Sequence, residues 1–337
     1  MDSSISPRPK VYLTRELPEP AMELLRANVD FKVWPKETPP PKDVLLKEIA
    51  DVDGLICLLT SKIDEEIINA GKNLKVISQV AVGYDNIDVE AASKRGIVVT
   101  NTPGVLTETT ADFAWTLLMA TARRVVEADK YIRRGDWKVP WDLLMFLGQD
   151  VWGKTLGIIG LGRIGSAVAK RGKAFNMRVI YYDMRRNEER EKELGVEFVD
   201  LETLLKEADF VSIHVPLLPS TRHLISEKEL KMMKPTAHLI NTSRGPVVDG
   251  KALYKALKDG WIRGAALDVH EKEPIEMDNP LLTLDNVVLA PHIASASVET
   301  RTKMAIMAAE NLVTALKGKV PPNIVNREAL KIRPLEE

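Results

Sequence analysis

Residues 155–183 follow an order that few folds accommodate: a strand, a glycine turn, a helix, a second strand and an acid. The turn carries Gly160, Gly162 and Gly165, and Asp183 lies 18 residues after Gly165. The first glycine permits a tight bend, the second lets a pyrophosphate approach the backbone, and the third lets helix and strand pack closely. Unpaired N–H groups at the helix start attract phosphate, and the acid accepts hydrogen bonds from ribose hydroxyls. The segment predicts a dinucleotide-binding unit, with a glycine-rich turn that binds nothing as the alternative.

Short β-branched runs alternate with helical patterns along the rest of the sequence. The runs that predict strands are Lys10–Thr14, Gly54–Leu58, Val76–Gln79, Val98–Thr100, Thr155–Gly160, Arg178–Asp183, Phe210–His214, His238–Asn241, Gly264–Asp268 and Val287–Leu289. Continuous apolar strands joined by helices favour parallel sheets that are covered on both faces. We therefore predict an α/β protein with two doubly wound parallel-sheet domains, one inserted into the other.

Two long segments have the period of a helix. The first, 109–134, has Asp112 near its start, arginine pairs along it and Gly135 just beyond, which predicts one continuous helix. Its apolar side chains cover most of the circumference and suggest burial on more than one side, at a subunit interface or in an ordinary core: Phe113, Trp115, Leu117, Leu118, Met119 and Val125. The second helix is predicted over about 298–317, and we expect the tail after it to fold back on the N-terminal domain.

Charge, cysteine content and hydropathy exclude several classes of protein. The 47 basic and 48 acidic residues leave a formal charge of −1, so no field of one sign favours nucleic acid or an anionic membrane. Cys57, the one cysteine, lies in the apolar run GLICLL, which favours a buried small hydrophobe over a nucleophile. Residues 1–10 have no apolar core of signal-peptide length, and no segment approaches the roughly 18 apolar residues of a membrane span. No cluster has zinc-ligand spacing, so we expect a protein without a bound metal. The single cysteine is consistent with the reducing cytoplasm, which is where we expect the protein.

Three ionisable residues lie at or after the ends of predicted strands, where open parallel sheets bind their ligands. Arg244 follows HLINTS, and its guanidinium can hold a carboxylate by two parallel hydrogen bonds or form a structural salt bridge. His292 follows VVLAP, and Glu273 lies 19 residues before it. A carboxylate beside a histidine favours the imidazolium, a proton donor near neutral pH, but this pair meets only if two loops converge. We expect the other histidines to be structural or at the surface: His214, His223, His238 and His270.

Long blocks of the sequence resemble the D-isomer-specific 2-hydroxyacid dehydrogenase family and, within it, the archaeal glyoxylate reductases. The blocks are VAVGYDNIDV at 80–89, RGIVVTNTPGVLTETTAD at 95–112, GKTLGIIGLGRIG at 153–165, NTSRGPVVD at 241–249, AALDVHEKEP at 265–274 and LAPHIASAS at 289–297. The resemblance implies a Rossmann NAD(P)-binding domain of residues 101–296. It also implies a flavodoxin-like substrate domain of residues 1–100 and 297–337.

The resemblance further implies which residues carry the chemistry. Arg244 would hold the carboxylate of a small 2-oxo acid and polarise the neighbouring carbonyl, while hydride comes from NADH. His292, kept protonated by Glu273, would donate the proton to the carbonyl oxygen. Backbone amides of Val82 and Gly83 would bind the other side of the carboxylate.

The nucleotide is expected to contact residues after several strands. The expected cofactor residues are Gly160, Leu161, Gly162, Arg163, Ile164, Gly165, Asp183, Met184, Arg185, Thr242, Ser243 and Asp268. By family analogy Asp268 meets the nicotinamide carboxamide, with a plain structural carboxylate as the alternative. Asp183 would repel a ribose phosphate, yet Arg185 and Arg186 lie within reach of one. We therefore expect NADH to be preferred, with some use of NADPH.

Bulky side chains around the expected acceptor site suit glyoxylate or hydroxypyruvate, which would give glycolate or D-glycerate. They are Leu59, Tyr84 and, further along, Trp137, Trp141 and Met145, although each could equally be core. The alternatives are another D-2-hydroxyacid dehydrogenase, such as one of 3-phosphoglycerate type, or an NADH-sensing corepressor-like protein without catalysis. Family resemblance and the apolar helix also lead us to expect a homodimer.

Overall fold

The computed structural model describes residues 7–336 of the chain, which fall into two units. The expectations for residues 1–6 and for residue 337 therefore lie outside the described residues. The first unit runs to Leu106 and resumes at Ser297, and the second unit runs from Thr107 to Ala296. The first boundary lies six residues after the expected one, where the Thr102 N–H donates to the Ala81 carbonyl within the first unit.

Helices and strands alternate through both units. The helices are α1 Glu19–Asn28, α2 Lys42–Ile49, α3 Glu65–Ala70, α4 Val89–Lys94, α5 Thr107–Ala122, α6 Val125–Arg133, α7 Arg163–Ala174, α8 Glu188–Leu194, α9 Leu201–Glu207, α10 Glu227–Met232, α11 Gly250–Lys258 and α12 Val298–Leu316. The strands are β1 Lys10–Leu13, β2 Asp30–Val33, β3 Gly54–Cys57, β4 Val76–Gln79, β5 Val98–Thr100, β6 Thr155–Ile159, β7 Arg178–Tyr182, β8 Glu197–Phe198, β9 Phe210–Ile213, β10 His238–Asn241, β11 Gly264–Leu267 and β12 Val287–Leu289. Short 3-10 turns lie at Gly245–Val247, Pro280–Thr283 and Arg327–Lys331.

Each unit contains one parallel sheet. The first sheet has five strands in the order β2-β1-β3-β4-β5, which is the flavodoxin-like order. The second has seven strands in the order β12-β11-β10-β9-β6-β7-β8, which is the Rossmann order with β6 as its first strand. Apolar clusters cover both faces of the second sheet, because its central strands carry apolar side chains on both sides. The predicted fold class is confirmed.

All ten predicted strands are present, each within a residue of its expected bounds. Two further strands, β2 and β8, were not predicted, and both lie at the edge of a sheet. β2 reads DFKV, with only half of its residues apolar, and β8 has two residues. An edge strand has a neighbouring strand on one side only and is less buried. Its sequence therefore lacks the continuous apolar run by which the other strands were predicted.

The single helix predicted over 109–134 is wrong, because the chain breaks into α5 and α6. Arg124 lies between them with φ of 54°, in the left-handed region, and the Gln149 N–H donates to the Ala122 carbonyl at 2.8 Å. That carbonyl is therefore taken by a distant loop, which ends α5. The expected burial holds for much of α5, but α6 has no buried residue and Val125 is 55% exposed.

The tail after α12 packs within the first unit, as predicted. The Val325 N–H donates to the Val99 carbonyl at 2.8 Å, and the Asn326 side chain accepts from the Val99 N–H at 2.7 Å. Helix α12 itself packs against β3, β4 and β5. Over residues 7–336, no helix combines the length and apolar character that crossing a bilayer demands.

Candidate active site

The glycine turn between β6 and α7 has the geometry that a bound pyrophosphate requires. Gly160 has φ of 95°, and a Cβ on Gly165 would lie 2.0 Å from the Gly160 carbonyl oxygen. Only glycine permits that helix-to-strand approach. A Cβ on Gly162, by contrast, would meet no atom within 4 Å, so the space directly beside Gly162 is open.

Asp183 and Arg190 hold the turn from the side of β7. One carboxylate oxygen of Asp183 accepts from the Leu161 N–H at 2.9 Å, and the other accepts from the Met184 N–H at 2.8 Å. Arg190, on α8, donates to the Leu161 carbonyl at 2.5 Å and to Oγ of Ser166 at 3.0 Å. Both polar groups of the Leu161 backbone are thus anchored by side chains. The sequence pattern did not identify Arg190, since its partner lies 29 residues earlier.

The arginines after Asp183 differ in their contacts. Arg186 donates two hydrogen bonds to Glu191, both at 2.9 Å, and lies over the ring of Phe198. This pairing raises the pKa of Arg186 above its ordinary value. Met184 and Arg185 are exposed beside the turn. Arg186 is thus held by Glu191, whereas Arg185 projects into solvent.

Arg244 lies in the loop after β10, and that loop is shaped by two sets of close contacts. The side chain of Asn241 accepts from the Ser243 N–H and Oγ and donates to the Arg244 carbonyl. A Cβ on Gly245 would lie 2.0 Å from the backbone carbonyl of His270, so this loop packs directly against the loop after β11. Sequence spacing alone gave no sign of that approach.

The structure brings Glu273 and His292 together. Oε2 of Glu273 lies 2.7 Å from Nδ1 of His292, and Oε1 accepts from the His270 N–H at 2.9 Å. The two side chains stay reachable from solvent, with 31% of His292 and 37% of Glu273 exposed. Because a carboxylate can only accept, Nδ1 of His292 carries the proton and Nε2 is the nitrogen that points away from Glu273.

Asp268 holds the backbone around His292. Its two carboxylate oxygens accept from the Ile293 and Ala294 N–H groups at 2.8 and 2.7 Å, and its carbonyl accepts from the His292 N–H at 2.8 Å. His292 has φ of 58°, a left-handed conformation that is uncommon for histidine and that the surroundings must hold. These contacts match the structural alternative for Asp268.

The pKa values of the two acids of the site move in opposite directions, although burial raises both. Burial raises the pKa of Asp268, and its two backbone hydrogen bonds offset only part of that rise. Burial alone would also raise the pKa of Glu273, but hydrogen bonds from His292 and from the His270 N–H hold it below the usual range. Glu273 is therefore ionised near neutral pH, as a partner for an imidazolium must be.

The predicted acceptor residues Leu59, Val82 and Gly83 belong to the first unit. The side chains of Asn101 and Gln79 donate to the carbonyls of Val82 and Gly83. No hydrogen bond within the described part of the chain uses the N–H of Val82 or of Gly83. These amides therefore have spare donor capacity, and their role stays a prediction.

A dinucleotide fits the residues around the glycine turn. Besides the clear space at Gly162, Oγ1 of Thr242 is buried and has no hydrogen-bond partner in residues 7–336. A buried hydroxyl without a partner is costly unless a ligand supplies one. The turn follows β6, which lies between β7 on one side and β9 on the other, so the strand order reverses there. Doubly wound sheets bind nucleotides at such a reversal.

Three other histidines contact neighbouring side chains. His223 pairs with Glu271 at 2.7 Å, His214 with the hydroxyl of Ser212 at 2.8 Å, and His238 stacks on Phe210. Burial lowers the pKa of His214 to about 3 and that of His238 to about 4. A cavity of about 310 Å³ opens beside His238, at the opposite ends of the strands from Arg244 and His292. It contains none of the predicted site residues.

Comparison with known proteins gives one consistent family. The model for the D-isomer specific 2-hydroxyacid dehydrogenase, NAD binding domain, matches residues 115–294. A glyoxylate reductase of Korarchaeum cryptofilum is 60% identical over 97% of this chain and 98% of its own, and one of Thermococcus litoralis is 55% identical over 97% and 99%. Among solved structures, an NADPH-dependent glyoxylate/hydroxypyruvate reductase of Sinorhizobium meliloti, in complex with NADP and malonate, has a TM-score of 0.81. It is 33% identical, and the match covers 98% of this chain and 99% of that one.

Proposed function

The chain belongs to the D-isomer-specific 2-hydroxyacid dehydrogenase family and is an NAD(P)-dependent oxidoreductase, and on that basis we propose that it reduces glyoxylate to glycolate. Hydroxypyruvate, which gives D-glycerate, is the second expected acceptor. The contact between Glu273 and His292 carries this proposal, because an imidazole paired with a carboxylate, in the loops after the Rossmann strands, is suited to donate a proton. Relatives named glyoxylate reductase, over nearly the full chain, support the choice of acceptor.

Each residue of the catalytic set has a distinct proposed role. Arg244 binds the acceptor carboxylate and polarises its carbonyl, which fixes the orientation of the reacting carbon. His292 donates the proton from Nε2 to the carbonyl oxygen, and Glu273 stabilises the imidazolium before the transfer. The amides of Val82 and Gly83 are proposed donors to the same carboxylate.

The proposed cofactor site consists of the glycine turn, Asp183 with Met184 and Arg185, and the loop of Thr242 and Ser243. The N–H groups at the start of α7 bind the pyrophosphate, and Asp183 accepts from the ribose hydroxyls. A bound reduced nicotinamide supplies the hydride. The proposed role of Asp268 is to fix the backbone around His292 through its two carboxylate hydrogen bonds. A contact with the nicotinamide carboxamide would be a second role.

We also propose that NADH is preferred over NADPH. The Asp183 carboxylate repels a ribose phosphate, and the nearby Arg186 is engaged by Glu191, although both Arg185 and Arg186 are exposed. The ratio of kcat/KM for the two cofactors tests this, and a higher value for NADPH would contradict it. Asp183→Ser should move the ratio toward NADPH.

The chain is further proposed to form a homodimer through an exposed apolar segment of the second unit. From 125 to 152, large apolar side chains face solvent, each more than half exposed: Val125, Ile132, Trp137, Val139, Trp141, Leu143, Leu144, Leu147 and Trp152. Monomeric proteins rarely expose so many neighbouring apolar residues. This exposure also means that Trp137 and Trp141 do not belong to the core of their own chain.

One assay tests the proposed reaction. NADH consumption is followed by the loss of its nicotinamide absorbance, with glyoxylate, hydroxypyruvate, pyruvate or 3-phosphohydroxypyruvate as the acceptor. We expect the highest kcat/KM for glyoxylate and a lower but measurable value for hydroxypyruvate. A preference for the phosphorylated acceptor would overturn the proposed substrate, and no turnover with any of them would overturn the reaction.

A further inference from the structure

His270 lies at the junction of the three loops that carry the proposed catalytic set. Its backbone N–H donates to Oε1 of Glu273 at 2.9 Å, and its ring Nε2 lies 2.9 Å from the carbonyl oxygen of Ala290. Gly245, the residue after Arg244, packs so closely on the His270 backbone that a Cβ there would lie 2.0 Å from its carbonyl. One residue therefore contacts the loops after β10, β11 and β12.

The ring contact has a defined direction. A carbonyl oxygen can only accept, so Nε2 of His270 carries the hydrogen and donates it to Ala290. The neutral tautomer with its hydrogen on Nε2 supplies this donor. An aromatic ring without a nitrogen could fill the same space but could not make this bond.

The loop of His292 is thereby held on both sides. Asp268 accepts from Ile293 and Ala294, directly after His292, while His270 donates to Ala290, two residues before it. Between these anchors His292 keeps its left-handed backbone, with φ of 58°, and its contact with Glu273. Without the His270 bond, Ala290 would keep one anchor, the hydrogen bond from its N–H to the Leu267 carbonyl at 2.8 Å, and its own carbonyl would be released.

We infer that His270 is a positioning residue that ties the loop of His292 to the loop of Glu273 and holds both against the loop of Arg244. The inference rests on the proposed function for its kinetic consequence. Its structural consequence, the fixed contact between His292 and Glu273, is independent of any substrate.

Two matched substitutions test the ring hydrogen bond. The amide nitrogen of glutamine reaches about as far from Cα as Nε2 of histidine, whereas that of asparagine reaches only as far as Nδ1. His270→Gln therefore keeps a donor for Ala290, and His270→Asn removes it with a change of one methylene. His270→Phe keeps the ring and removes the donor, which separates hydrogen bonding from packing.

The kinetic readout is kcat with glyoxylate and KM for NADH. We expect His270→Asn and His270→Phe to lower kcat about five-fold, the factor expected for one ordinary hydrogen bond, with KM for NADH nearly unchanged. His270→Gln should recover most of the lost kcat. If His270→Phe retains the wild-type kcat, or if His270→Gln falls as far as His270→Asn, the donor has no role and the inference is wrong.

A spectroscopic readout on the cofactor-free protein separates this inference from the proposed function. The Nδ1–H of His292, donated to Glu273, should give a downfield proton resonance that is assigned by its loss in His292→Gln. We expect the resonance to remain sharp in His270→Gln and to broaden in His270→Asn and His270→Phe. An unchanged resonance in all three variants would overturn the inference, whereas this pattern in a protein that reduces no 2-oxo acid would support it and contradict only the proposed function.

Discussion

The imidazole of His292 is held at Nδ1 by Glu273, so Nε2 is the nitrogen from which a proton can pass to an acceptor. We predict that His292→Gln lowers kcat by about 10²- to 10⁴-fold, the usual contribution of a general acid, and changes KM for NADH little. Steady-state kinetics with glyoxylate provide the measurement. A variant with wild-type kcat would remove His292 from the mechanism.

Arg244 should act earlier, when the acceptor binds. We predict that Arg244→Ala raises KM for glyoxylate and lowers kcat, because the guanidinium both binds the carboxylate and polarises the carbonyl. Arg244→Lys keeps the charge but loses the planar pair of donors, so KM should still rise about ten-fold or more. Unchanged kinetics in the lysine variant would indicate that charge alone is needed.

The hydrogen bond between Glu273 and His292 should also stabilise the folded protein. The folded-state pKa of Glu273 lies below the ordinary value, so the carboxylate stabilises the fold above about pH 4.3 and loses this effect as pH falls through the lowered pKa. We predict that Glu273→Gln lowers the free energy of unfolding by about 0.5 to 1 kcal/mol near pH 6, after allowance for solvent screening. The difference from wild type should shrink as the pH falls below about 4.

Urea unfolding across this pH range measures the effect. Glu189→Gln, at an exposed position of α8, is the control for removal of one negative charge. A difference between wild type and Glu273→Gln that grows toward acid pH would contradict the prediction.

At the scale of elements, two glycines of the turn serve different purposes: one is needed for folding and the other for cofactor binding. A Cβ on Gly165 would overlap the Gly160 carbonyl, whereas a Cβ on Gly162 would meet no atom of the chain. We predict that Gly165→Ala destabilises the fold by about 1 to 3 kcal/mol, because α7 must move away from β6. Gly162→Ala should unfold like the wild type but bind NADH more weakly.

Thermal unfolding and fluorescence titration with NADH measure the two effects. The two variants add the same methyl group, so each serves as the control for the other. Equal NADH affinity of Gly162→Ala and wild type would mean that the cofactor does not approach the turn.

Elements could be predicted from the sequence where a local pattern determines them. The buried strands and the glycine turn have such patterns, and Arg244, Glu273 and His292 are proposed site residues because strand ends mark ligand sites. The break between α5 and α6 could not be predicted, since it depends on Gln149, which lies far along the chain from Ala122. The role of His270 escaped for the same reason, because its ring contact is with a carbonyl 20 residues away.

For the whole molecule, the exposed apolar segment predicts association. We expect the wild type to have twice the chain mass by light scattering, and the double substitution Trp141→Ser with Leu144→Ser to shift it toward the monomer. These side chains are 73% and 72% exposed, so their replacement removes apolar surface without disturbing the core. Met277→Ser, at a residue that is 88% exposed and distant in sequence, is the control. A wild type that scatters as a monomer at micromolar concentration would contradict the homodimer.

Helix α12 has a consequence for the order in which the chain acquires its structure during translation. It packs on β3 and β4, and the hydroxyl of Ser78 donates to the Ala308 carbonyl, a contact that spans 230 residues. The N-terminal sheet therefore emerges from the ribosome long before the helix that covers it. The inserted unit, by contrast, is fully synthesised once the chain reaches Ala296. We expect the inserted unit to mature first and the N-terminal strands to wait, incompletely covered, until the last helix is synthesised.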